Sequence, residues 1–427
     1  MRGKYFATRP HGCHSMNSKS QTQARGKRKV ASGQLSPIEP DLTGALALVM
    51  RLMAVPGPSG RERQISQLIA SELRKAGVSD DHLQWDNAHE RTLIRGEIGN
   101  LVCKLPGTLR APRRLLMAHI DTVPLCEGSQ PTRKGAWVES ADPMTGLGAD
   151  DRAGAAVVLQ AALAVLRRGL PHPPLTFYWT VQEEVGLQGV RHAKLGILGK
   201  PKLAFNWDGG PAEKLTIGAT GAYRMLITIT GLASHAGGSP EKGVSAIGIA
   251  GIAIADLQRN GWHGDINRDG RRGTSNLGLI QGGEATNVVA PRVEIRAEAR
   301  SHDPMFRLEI VEQIEAAFRR AAEEVRNVSG ASGQVQFERR LDYEAFVLDA
   351  EEPCVTIAEQ AIRGVGSEPL RAISNGGLDA NWMTARGIPT VTLGCGQHNV
   401  HTASERLNIE AFQTACRVAL RLATASE

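Results

Sequence analysis

Strand-length apolar runs alternating with amphipathic helical stretches predict an α/β fold, and a β-α-β-β-α-β series mid-chain predicts an inserted ferredoxin-like α+β domain. Acidic and histidine residues recur where the strands end, the edge at which sites form in open α/β sheets. The larger domain is expected to hold a mixed, mostly parallel sheet. It would comprise residues 41–215 and 342–427, with 216–341 as the insertion and 1–40 as a basic, disordered tail.

Residues 42–55 read as a helix closed by Pro56-Gly57-Pro58, and 62–75 as an amphipathic helix ended by Gly77. Residues 114–120 (RLLMAHI) form a continuous apolar run, as in strands buried on both faces. A helical face over 151–168 stops at Gly169 and Pro171, and 175–181, 202–207 and 387–393 are further strands. In the middle, 223–230 alternates like a strand and 244–257 is helical. Strands over 276–281 and 293–299, a helix over 304–325 and a strand over 334–338 complete the insertion.

The chain has 427 residues, enough for two domains, with a formal charge of +6. Residues 1–38 hold eight Lys/Arg and no acid, so the rest carries 42 of the 50 basic residues against 44 acidic ones. The body is therefore not basic, and with aromatics at 4% it lacks the interleaved pattern of a nucleic-acid binder. Six scattered cysteines without a CxxC pair fit a reducing compartment better than a disulfide framework. No apolar run approaches a membrane span, and the N-terminus lacks a secretory h-region, so a cytoplasmic protein is expected. The Arg-rich start also suits an organelle transit peptide or a start codon placed too early.

Each polar strand end has an ordinary reading beside a chemical one. His119-Ile-Asp121 puts both side chains on one face, so the carboxylate can orient the imidazole toward a metal. Asp150 and Asp151 follow a glycine-rich approach, and taken alone Asp150 reads as a helix N-cap. Glu183-Glu184 directly after a hydrophobic strand are costly to bury together unless cations or protons neutralise them. Asp208-Gly-Gly reads as a turn, and His398 and His401 compete for one role. Together, two imidazoles with Asp150, Glu184 and Asp208 suit two divalent cations sharing one carboxylate. Zinc fits the N/O donors, and Glu183 is left as a general base.

The series LMAHIDTVP, GLGADDRAG, VQEEVGLQG, NWDGG, ITGLASHAGGSPEKGVSAI, GGEATNVVAP and GCGQHNVHTASE resembles the M20 family of dinuclear zinc peptidases, in its peptidase T-like (tripeptide aminopeptidase) branch. The resemblance implies that His119, Asp150 and Asp208 bind one Zn2+ and Asp150, Glu184 and His401 the other, with Asp150 bridging and Co2+ or Mn2+ as substitutes. It further implies that Asp121 steadies His119, that Glu183 is the base, and that the insertion is a lid and homodimerisation domain. His235 would reach the partner subunit's site to stabilise an oxyanion. Asn287 and Arg300 would hold the substrate, and Gly377 would lie in a loop lining it. In the family, Asp at the position of Asp208 accompanies peptidases acting on small peptides. The expected activity is therefore release of the N-terminal residue of tripeptides, without nucleic-acid or membrane partners. An N-acyl amidohydrolase and a non-catalytic metal- or nucleic-acid-binding protein are the alternatives.

Overall fold

The computed structural model describes residues 39–424, and the expected basic tail, apart from Glu39 and Pro40, lies outside them. The larger sheet has nine strands. Its path runs Leu83–Trp85, Leu101–Leu105, Leu175–Thr180, Arg114–His119, Leu203–Trp207, Thr390–Leu393, Lys214–Ala219 and Phe346–Val347, with Leu370–Ser374 also pairing Lys214–Ala219. The four strands from Leu175–Thr180 to Thr390–Leu393 are mutually parallel, and antiparallel pairs flank them. The sheet is therefore mixed with a parallel centre.

Alternation along Arg114–His119 explains its unbroken apolar run. Leu116 and Ala118 enter the core beneath helices Leu42–Met53, Arg63–Lys75, Ala149–Arg168 and Ile409–Thr424. Leu115 and Met117 enter a second cluster on the opposite face, with Tyr178, Val190 and Met383. Both faces are covered, so no position along the strand selects a polar residue. Helix Ala149–Arg168 lies so deep that Ala153 to Val165 is buried throughout.

The second sheet has the order Gly264–Arg268, Arg271–Gly282, Arg292–Ser301, Gly221–Thr230, Gln334–Tyr343, antiparallel at every pair. Helices Ala246–Arg259 and Pro304–Glu324 cover one face, where Ile227, Ile229 and Ile295 meet Ile249, Ile310 and Phe318. Without Gly264–Arg268 this is the strand order of a ferredoxin-like sandwich. The additional strand comes from a two-residue hairpin at Asp269-Gly270, both at positive φ (52° and 74°). The boundary also differs from the expected residue 216. Lys214–Ala219 belongs to the larger sheet, because Leu215 and Ala219 are wholly buried in its core, and the second sheet starts at Gly221.

A four-stranded sheet of Gln397–His398, Arg406–Asn408, Trp137–Ser140 and Pro131–Lys134 holds both ends of the loop that carries His401. No helix among the described residues is long and apolar enough to cross a membrane. The five cysteines within them are buried and unpaired.

Candidate metal centre

Parallel pairing brings the carboxyl ends of four adjacent strands to one edge. His119 ends one strand, Glu183 and Glu184 follow its neighbour Leu175–Thr180, and Asp208 follows Leu203–Trp207. His401 comes from the loop after Gln397–His398, the strand that follows Thr390–Leu393, and Asp150 from the start of the long helix. Asp150 stands between the imidazoles, its Oδ1 3.1 Å from His119 Nε2 and its Oδ2 3.3 Å from His401 Nε2. Glu184 lies 2.9 Å from His401. Potential ligand atoms of His119, Asp150 and Asp208 fall within 4.8 Å of one another, as do those of Asp150, Glu184 and His401. Two three-residue groups thus share one carboxylate.

Glu183 is buried beside them. Asp121, with no exposed surface, accepts from the backbone N–H of Glu183 at 3.0 Å and of Glu184 at 3.1 Å, and lies 3.3 Å from His119 Nδ1. One carboxylate therefore fixes an imidazole and the paired-glutamate turn together.

The electrostatics of the cluster are dominated by burial and by its own carboxylates and imidazoles. Burial, with Glu184 and Asp208 nearby, pushes the Glu183 carboxyl well above its ordinary value. Burial and Asp150 push Asp208 up to about 8. His401 is raised to about 10 by its hydrogen bonds to Asp150 and Glu184. Asp150 is held low: burial opposes ionisation, and the hydrogen bonds to His119 and His401 outweigh it. These carboxylates share two imidazoles and would otherwise have to take up protons. Imidazole and carboxylate donors at these separations fit divalent cations of the zinc type, whose charge would remove that demand.

The profile of peptidase family M20/M25/M40 matches residues 115–425. The chain belongs to this family. It is an M20-family peptidase, similar to the uncharacterized protein YqjE of Bacillus subtilis, at 34% identity over 84% of this chain and 92% of that one. Peptidase T of Escherichia fergusonii is 25% identical over 80% of this chain and 90% of its own length. Among solved structures, a tripeptidase from Staphylococcus aureus matches with a TM-score of 0.80 at 29% identity, covering 91% of this chain and 99% of that one. The aminopeptidase PepT from Bacillus cereus matches with a TM-score of 0.75 at 30% identity, over 90% and 98%. The Bacillus subtilis YXEP protein, whose structure is described as a dinuclear metal binding peptidase from the M20 family, shares this fold, with a TM-score of 0.62 at 18% identity over 90% of this chain and 99% of that one.

The two adjacent aspartates of this M20 chain do different things. Asp150, read alone, looks like the N-cap, yet it does not cap the helix. Asp151 does, its Oδ1 accepting from Gly154 N–H at 2.9 Å and from Gln397 Nε2 at 2.8 Å. Both aspartates have non-helical backbone angles. The helix proper therefore begins after Asp151, which leaves the Asp150 carboxylate to the cluster. His398 packs edge-on against Trp137, with ring centroids 4.9 Å apart, and is not among the two ligand groups.

The remaining expected residues lie elsewhere. His235 is exposed in the insertion, and a β-bridge with Val288 sets its loop beside Asn287, whose carbonyl accepts from Ala236 N–H at 2.9 Å. Arg300, on Arg292–Ser301, is engaged by Glu298 through Nε at 3.0 Å and Nη2 at 2.9 Å. Gly377 precedes helix Asp379–Ala385, and a Cβ there would come 2.3 Å from the Tyr343 ring. Among the described residues, no hydrogen bond or ion pair joins His235, Asn287, Arg300 or Gly377 to the cluster.

Two supporting residues escaped the sequence reading. Glu405 accepts from Gly148 N–H at 2.7 Å and Asp150 N–H at 2.9 Å, anchoring the backbone at Asp150. Nothing in the residues around it points to Asp150, 255 positions away. Ser59 Oγ donates to Asp121 at 2.6 Å, and nothing in Pro-Ser-Gly distinguishes it from an ordinary turn.

Proposed function

We propose that this M20 peptidase is a dinuclear zinc aminopeptidase that releases the N-terminal residue of tripeptides. The observation that carries the proposal is the pair of ligand groups sharing Asp150, with Glu183 buried alongside. His119, Asp150 and Asp208 would hold one ion and Asp150, Glu184 and His401 the other. Bound cations of this type supply Lewis acidity toward water and a carbonyl oxygen. Glu183 then takes the proton of the attacking water and delivers it to the leaving amine, with Asp121 keeping the turn and His119 in place. A raised carboxyl value suits such a two-way transfer.

His235 would donate to the oxyanion from a partner subunit in a homodimer formed through the insertion. Its Nδ1 accepts from Gly237 N–H at 3.1 Å and Gly238 N–H at 2.8 Å, which puts the proton on Nε2 and makes that atom a donor. One such donor is worth roughly 3 kcal/mol in acyl-transfer sites. Asn287, Arg300 and the Gly377 loop would position the substrate. The unpaired cysteines favour a reducing, cytoplasmic setting. Peptidase T and tripeptidase relatives support the substrate class.

The test is Glu183→Ala in zinc-loaded protein, with metal analysis and tripeptide cleavage beside N-acetylated controls. Two bound metals with turnover abolished is the expected result. Near wild-type turnover would overturn the role of Glu183, and cleavage confined to N-acyl substrates would overturn the aminopeptidase assignment.

A further inference from the structure

A cavity of about 260 Å³ opens beside the cluster. Its lining includes Asp150, Asp208 and His398 together with Lys214, Thr216, Ser374 and Asn399. Lys214 and Thr216 alternate with Leu215, which is wholly buried in the core, so both present the same face of Lys214–Ala219. Ser374 arrives on the parallel neighbour Leu370–Ser374. Its Oγ already accepts from Gly376 N–H at 3.1 Å, which leaves its own proton to donate.

The volume is below the roughly 300–1,000 Å³ of small-molecule pockets. It equals about nine water volumes at ~30 Å³ each, room for one side chain and not for a second residue. Its chemistry is asymmetric. Lys214 is half-buried, and among the described residues no carboxylate lies within ion-pair distance of it. An ammonium and two hydroxyls on one wall are donors that a carboxylate, with about four acceptor positions, can satisfy together. An apolar side chain would desolvate Lys214 without replacing its hydrogen bonds, and a basic one would add repulsion.

We propose that this cavity receives the side chain of the N-terminal substrate residue and that Lys214 selects glutamate or aspartate there. The inference rests on the aminopeptidase reading, which places a single residue before the scissile bond, next to Asp150 and Asp208. Lys214 is then the specificity-determining residue, with Thr216 and Ser374 orienting the bound carboxylate.

Zinc-loaded full-length protein is assayed for kcat/KM on Glu-Ala-Ala, Ala-Ala-Ala and Lys-Ala-Ala. In parallel, calorimetry measures the binding of free L-glutamate and L-lysine. The Glu/Lys ratio of kcat/KM is expected to be about ten- to hundredfold, the range of one charge-assisted contact in a partly buried site. Lys214→Met should bring that ratio toward one, and Lys214→Glu should invert it. Ratios taken within one variant cancel any loss of folded protein. Cleavage of Ala-Ala-Ala without an acidic preference, or an unchanged ratio in Lys214→Glu, overturns the pocket assignment and leaves the peptidase reading standing. Lys214-dependent glutamate binding without cleavage of any tripeptide supports the pocket and overturns the peptidase reading.

Discussion

Replacing Glu405 by glutamine keeps the side chain's shape and removes its charge. Each carboxylate oxygen has its own backbone donor, Gly148 N–H on Oε2 and Asp150 N–H on Oε1, and Cys126 Sγ lies 3.4 Å from Oε2. Glutamine has one acceptor, so whichever way the amide turns, its NH2 faces a buried N–H. One charge-assisted bond is lost outright and the other becomes a neutral one. At about 1.5–3 kcal/mol for a bond to a charged group, the catalytic domain should lose about 3 kcal/mol. Because Asp150 N–H is one of the two donors, metal affinity should fall as well, by about ten- to a hundredfold for a supporting residue of this kind. Urea unfolding of the metal-free protein, followed through buried Trp179 and Trp207, reads the first effect. Competitive chelation of the zinc-loaded protein reads the second. Burial raises the Glu405 carboxyl above its ordinary value, and a carboxyl already neutral in the folded protein would make glutamine a near-isostere. A stability loss below ~0.5 kcal/mol with unchanged metal affinity would refute the charged-anchor argument.

Glu62 predicts the opposite outcome. Burial and Asp121 raise its carboxyl from 4.5 to about 8, so the folded protein takes up a proton there, and this contribution, whole below about pH 4.5, disappears as pH rises through 8. Glu62→Gln should therefore be close to neutral near pH 4, already more stable than wild type near pH 6 and more so near pH 9, checked by urea midpoints; equal pH slopes would reject the assignment. Gly377→Ala would set a methyl 2.3 Å from the Tyr343 ring, so the loop must shift. Tripeptide kcat/KM should fall by tenfold or more with both metals retained, and unchanged kinetics would remove Gly377 from the substrate site.

The central strands were legible because burial on both faces leaves unbroken apolar runs, as in RLLMAH and LTFYWT. Edge strands were not. Leu370–Ser374 exposes Leu370 and Ile373, so its pattern carries no two-faced burial, and Leu83–Trp85 has three residues. Gly264–Arg268 was within reach, since Asp269-Gly270 is a strong hairpin signal, but its flanking residues are too polar to read as a strand. Strand-end His and Asp/Glu residues marked the site for a topological reason: adjacent parallel strands deliver their carboxyl ends to one edge. Glu405 depends on a contact with Asp150 across 255 positions, which no local spacing encodes.

Asp150 and Asp151 show where residue type stops being informative. Both are aspartates at the start of one helix, and N-cap preference alone would assign the cap to the first. The deciding quantity is where the helical backbone begins, and here it begins one residue later. The Asp151 carboxylate turns back to Gly154 N–H and Gln397, while Asp150 projects between His119 and His401. Capping uses the carboxylate that the helix orients, so the preceding residue is released from the helix and open to ligation. The two functions are separated by a one-residue displacement of the helix start, and Glu405 fixes that displacement through the backbone N–H groups of Gly148 and Asp150. The anchor that the sequence left unmarked thus holds the backbone of Asp150 in the conformation that places its carboxylate between the two imidazoles.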